Sequence, residues 1–90
     1  MTEKVVKVPN KLGVHARPAA LIVRAAVEFD SEIWIASSDD KVNAKSIMGV
    51  MTLAASGGTM LTVIAEGYDA AEAVEAVAGV IAGGFGEEML

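Results

Sequence analysis

Two hydrophobic periods alternate along this 90-residue chain, and together they lay out seven elements. Lys4–Val8 is rich in valine and closes at Pro9-Asn10, which reads as a strand followed by a loop. From Ala16 to about Glu28 the apolar residues recur at helical spacing. Pro18 falls in the first turn, where its missing N–H has no intrahelical partner in any case. Glu32–Ser37 is a strand, Asp39-Asp40 a turn and Lys41–Asn43 a short return strand. Ser46–Ala54 reads as a short helix with Ser46 at its N-cap. After the turn at Ser56-Gly57-Gly58, Leu61, Val63 and Ala65 alternate with Thr62, Ile64 and Glu66, which makes Met60–Glu66 a strand. Asp69 with Glu72 has the spacing of a capping box, Ala70–Ala82 follows as helix, and Gly83-Gly84 ends it. The order is strand, helix, strand, strand, helix, strand, helix. It predicts a single α+β domain over residues 1–90, one sheet with helices on one face.

Two of these helices carry more apolar surface than one buried face requires. In the first, Ala19, Ile22, Ala25, Ala26 and Phe29 share a side, yet Ala16, Ala20, Val23, Arg24 and Val27 lie opposite. In the second, Ile47, Val50, Leu53 and Ala54 form one face, and Met48, Met51, Thr52 and Ala55 the other. Alanine as a good helix former accounts for Ala16 and Ala20. It accounts less well for Val23, Val27, Met48 and Met51. Adaptable methionines suit a partner-docking surface or a homo-oligomer interface, and periodicity alone does not separate the two.

Composition removes whole classes of chemistry. With no cysteine there is neither a disulfide framework nor a thiolate metal site, and a single histidine, His15, leaves no metal constellation to build. No cofactor is expected. The formal net charge of −5 argues against a protein that grips nucleic acid by neutralising phosphates. The charge is uneven: residues 1–24 carry Lys4, Lys7, Lys11, Arg17 and Arg24 against Glu3, whereas most of the acids follow. No apolar run approaches the length of a membrane span, and MTEKVVKVPN lacks the apolar stretch of a signal peptide. A soluble chain, not membrane-inserted, is expected.

His15 stands in LGVHARPAA, immediately before the first helix. A lone histidine is ordinarily structural. Here, however, a helix start offers unpaired N–H groups and a partial positive charge, a ready anion site. Arg17 adds a permanent cation whose planar fork suits phosphate oxygens. Both features disfavour imidazolium and keep a ring nitrogen free to act as nucleophile. Gly13 permits the backbone turn that presents the ring. There is no glycine-rich nucleotide loop, no second histidine and no evident carboxylate pair beside His15. A chain that accepts a phosphoryl group without a nucleotide site must receive it from another protein. A carrier is expected, not an enzyme.

KLGVHARPAA at residues 11–20 and VNAKSIMGVMTL at 42–53 resemble the histidine-containing phosphocarrier (HPr) family of the bacterial phosphoenolpyruvate-dependent phosphotransferase system. The resemblance covers essentially the whole chain. It implies an HPr-like open-faced β-sandwich, βαββαβα, with a four-stranded antiparallel sheet and three helices on one face. It further implies a cytoplasmic monomer whose His15 is phosphorylated at Nδ1 by enzyme I and passes the group to EIIA-type acceptors. Arg17 would bind the phosphoryl group. The family's docking surface maps onto Ala16, Ala20, Arg24, Ile47, Met48 and Met51, which favours docking over oligomerisation. Ser46 matches a serine that a dedicated HPr kinase/phosphorylase modifies in many members. KSIMGVM resembles the regulated sugar-type branch, whereas the GGFGEE segment resembles the nitrogen-related branch, so the pathway stays open. A chiefly regulatory binding module modulated at Ser46 is the other reading.

Overall fold

A computed structural model describes residues 1–90. The strands are β1 (Thr2–Lys7), β2 (Glu32–Ala36), β3 (Lys41–Asn43) and β4 (Met60–Glu66). The helices are α1 (Ala16–Ala26), α2 (Ile47–Thr52) and α3 (Ala70–Ala82), and a 3-10 turn follows at Gly84–Gly86. Every strand pairing is antiparallel, in the order β1-β4-β2-β3. The predicted α+β open-faced sheet is therefore the observed one. β4 and β2 are the two central strands, and β4 is buried on both sides, with Leu61, Val63 and Ala65 on the inner face and Ile64 on the outer.

The inner face continues through Val6 on β1 and Ile33 and Ile35 on β2. α3 lies across β1, β4 and β2 and seals it with Ala73, Val74, Val77, Ala78 and Ile81, while α1 packs on α3 and α2. The outer face stays open, and Lys41 lies over the Trp34 ring there at 4.8 Å. No helix is long and apolar enough to cross a membrane.

β4 and α3 have the bounds the pattern predicts. β3 likewise matches at Lys41–Asn43, and the remaining elements differ by a residue or two, each for a local reason. β1 begins at Thr2 and ends at Lys7 rather than running Lys4–Val8. Val8 still pairs outside the ladder, donating to Thr59 O and accepting from Gly58 N. β2 stops at Ala36, where Ser37 enters the turn that bonds back to Asp40. α1 stops at Ala26, since Glu28 and Phe29 bond three residues back rather than four. α2 spans only Ile47–Thr52. Ala54 has a positive φ of 48°, so Ala54 and Ala55 lie beyond the helix, and the predicted faces change: Ile47 and Ala54 are exposed while Ala55 is buried.

The capping box at Asp69 does not form. Asp69 makes no side-chain cap bond. Its carboxylate turns to the loop after α1, accepting from the amides of Asp30 at 2.9 Å and Ser31 at 3.0 Å and from the Ser31 hydroxyl. These donors offer more than one amide of its own helix could, and they tie the α1–β2 connection to the β4–α3 connection. The Ser31 hydroxyl, above all, holds the Asp69 carboxyl below its ordinary value, against burial, which pushes it up.

Candidate functional site

The site is built on the turn that enters α1. Gly13 has φ +71°, and a Cβ there would overlap the Ala55 carbonyl oxygen, so the position takes only glycine. Val14 N donates to that same carbonyl at 2.8 Å, pinning the turn to the segment after α2. His15 is then the N-cap of α1, in an extended conformation. Its side chain caps nothing. Ala19 is the first amide to bond into the helix, to His15 O at 2.9 Å, and Pro18 has no N–H. The amides of Ala16 and Arg17 are left unpaired at the positive end of the helix.

The ring is 41% exposed. Its Nε2 lies 2.8 Å from Glu87 Oε2 and 3.0 Å from Oε1. Glu87 is a carboxylate that sequence reading did not place here; the residues counted around the ring were all cationic. The bond to His15, first of all, holds the Glu87 carboxyl below its ordinary value, with help from Asn10 and Arg17 and against burial. An ionised carboxylate only accepts, so Nε2 carries the hydrogen and donates it. In the neutral ring Nδ1 is then the nitrogen with a free lone pair, and no protein group bonds to it. The carboxylate on Nε2 thus assigns Nδ1 as the ring nitrogen left without a protein partner.

Arg17 meets the same carboxylate. Its Nη1 donates to Phe85 O at 2.7 Å and to Glu87 Oε2 at 3.2 Å, while Nε and Nη2 have no partner. His15 and Arg17 therefore share one Glu87 oxygen, with Nδ1, half of the guanidinium and two backbone amides open to an incoming anion. Chemically this is a nucleophilic nitrogen beside donors for a tetrahedral oxyanion.

A family model described as "PTS HPr component phosphorylation site" matches residues 2–83. The phosphocarrier protein HPr of Treponema pallidum is 50% identical over 88 residues, covering 98% of this chain and all of that protein. The HPr-like protein Crh of Halalkalibacterium halodurans is 54% identical over 77 residues, covering 86% of this chain and 92% of that one. In structure, HPr-C-His from Thermoanaerobacter tengcongensis superposes with a TM-score of 0.92 at 48% identity, over 99% of this chain and all of that chain.

The chain belongs to the HPr family.

The surface that HPr resemblance assigns to docking is carried by neighbouring helices. On α1, Ala16 and Arg24 are exposed and Ala20 is half-buried; on α2, Ile47, Met48 and Met51 are 45%, 79% and 43% exposed. α1 and α2 pack against each other, so the two sets lie on adjoining helices. Val23, expected on the spare face, instead leans on the core, so that face is narrower than the sequence suggests. Leu12, 74% exposed just before the Gly13 turn, was not singled out in sequence. Ser46 caps α2 as predicted, its Oγ accepting from Gly49 N at 3.0 Å.

Proposed function

We propose that this protein is a phosphocarrier of a phosphoenolpyruvate-dependent sugar phosphotransferase system. His15 accepts a phosphoryl group from enzyme I and gives it to EIIA-type acceptors. The observation that carries the reading is the uncapped start of α1: Nδ1 of His15 is unpartnered where Arg17 and two backbone amides have free donors. In the step, the Nδ1 lone pair attacks phosphorus. The bond to the donor breaks, its electron pair leaving with the donor atom, and the Nε2 proton stays in place. Arg17 and the amides of Ala16 and Arg17 take the phosphoryl oxygens. Onward transfer reverses this at another nucleophile, so the chain is a covalent intermediate rather than an enzyme and needs no cofactor.

Ala16, Ala20, Arg24, Ile47, Met48 and Met51 form the surface on which both partners dock, with the protein acting as a cytoplasmic monomer. The test is intact mass after incubation with phosphoenolpyruvate and enzyme I, followed by acid. An acid-labile gain of one phosphate supports the reading, and no gain with enzyme I of either the sugar or the nitrogen-related type ends it. A gain with the nitrogen-related type alone reassigns the pathway to the branch that GGFGEE resembles.

The KSIMGVM segment and the place of Ser46 at the start of the helix that carries Met48 and Met51 support one further reading, a regulatory role set by phosphorylation of Ser46 through an HPr kinase/phosphorylase. A phosphate there would put negative charge beside Met48 and Met51 and weaken docking. Partner binding that survives His15→Ala and responds to phosphoserine is the expected sign.

A further inference from the structure

The role of Glu87 remains open in that account. Its side chain is only 15% exposed, and both of its oxygens are used. Oε2 accepts from His15 Nε2 and Arg17 Nη1; Oε1 accepts from Asn10 Nδ2 at 3.0 Å and also lies 3.0 Å from His15 Nε2. Asn10 is fully buried, and its other donor bond goes to Gly13 O at 2.9 Å. Its Oδ1 has no partner, so these two donations alone set its orientation. The segment bearing Glu87 is fixed on both sides. Lys11 N donates to Glu88 O at 2.9 Å and Leu90 N to Pro9 O at 2.8 Å, while Phe85, buried with φ 60°, redirects the chain and lends its carbonyl to Arg17.

We propose that Glu87 is a positioning residue for phosphoryl transfer: its carboxylate fixes the Nε2–H tautomer of His15, which leaves Nδ1 as the nucleophile, and holds Arg17 by Nη1 with Nη2 and Nε turned free. This rests on the phosphocarrier reading. When Nδ1 bonds to phosphorus the ring keeps its Nε2 hydrogen and gains positive charge, and the carboxylate on Nε2–H stabilises that charge as it develops. The arrangement matches in logic a carboxylate that orients and charge-stabilises a histidine elsewhere in catalysis. Only an ionised Glu87 can serve, and the bonds it accepts keep it ionised.

The experiment measures two quantities in the wild type, Glu87→Ala, Glu87→Gln and the exposed-carboxylate control Glu88→Gln. The first is the 15N signature of the His15 ring, recorded above the ordinary imidazole titration range. The second is the kinetics of phosphorylation by enzyme I. The wild type and Glu88→Gln are expected to show one protonated Nε2 and one bare Nδ1. In Glu87→Ala the two nitrogens move toward averaged shifts, and kcat falls about tenfold, the scale at which partners that orient a histidine act, with KM within about twofold. Glu87→Gln, which keeps the packing and loses the charge, falls between. A wild-type ring signature in Glu87→Ala, or a kcat equal to or above wild type, overturns the proposal. The ring signature needs no partner protein. If enzyme I phosphorylates none of the four proteins, the phosphocarrier reading fails while the tautomer assignment is still decided.

Discussion

The starts of α1 and α2 differ in the residue that caps them and in what becomes of the third amide. Both helices leave amides without intrahelical acceptors. At α2, Ser46 takes up one of them, its hydroxyl accepting from Gly49 N, while Ile47 and Met48 keep theirs open. At α1 the cap residue is His15, which accepts nothing with its side chain, and Pro18 replaces one of the orphan donors while Ala16 and Arg17 keep theirs. A helix whose only duty is packing gains from a cap of the Ser46 kind, worth about 1 kcal/mol. α1 forgoes it. The donors left open there lie beside a nucleophilic ring and a guanidinium, so the missing cap is accounted for by what the site receives rather than by what the fold needs.

The sharpest way to break this comparison is His15→Ala. It is expected to abolish acid-labile phosphorylation completely at the cost of only a small drop in thermal stability, because the partly exposed ring contributes to the fold only through its bond to Glu87. Retained phosphorylation would move the acceptor elsewhere. Gly13→Ala comes next. A left-handed φ and a Cβ overlapping the Ala55 carbonyl together predict a loss of about 2–4 kcal/mol in urea denaturation. Ser46→Ala predicts a smaller loss, about 1 kcal/mol, with His15 phosphorylation unchanged. If Ser46→Ala slowed phosphorylation as strongly as it destabilised, the division between a structural and a chemical helix start would collapse.

The smallest effect concerns pH. Asp69 and Glu87 both have folded pKa values below their ordinary ones, so the stability they contribute is fully present above the unfolded carboxylate range, about pH 4, and is lost as pH falls through the lower folded values. Asp69→Asn is therefore expected to lower stability at neutral pH and to flatten its decline in acid. An unchanged acid slope would remove the Asp30–Ser31 contacts from the account.

How much of this was legible beforehand depended on range. β4 and α3 could be bounded because alternation and a long apolar stripe are local signals. His15, Arg17 and the Ser46 cap could be found because helix starts are written within a few residues. Asp69 misled for the same reason: D-x-x-E is a local pattern, but the donors that won its carboxylate lie 38 and 39 residues away. Glu87 was beyond reach, since 72 residues separate it from His15 and nothing in GGFGEE says which surface the segment crosses. The narrower docking face on α1 likewise required knowing how far Val23 leans on the core.

The most direct measurement is the amide 1H–15N spectrum recorded before and after phosphorylation. If the open start of α1 is the phosphoryl seat, the amides of Ala16 and Arg17 should show the largest downfield shifts in the chain, with Gly49, capped by Ser46 at the start of α2, nearly still. Phosphorylation that leaves Ala16 and Arg17 unmoved, or moves Gly49 more, would contradict the account.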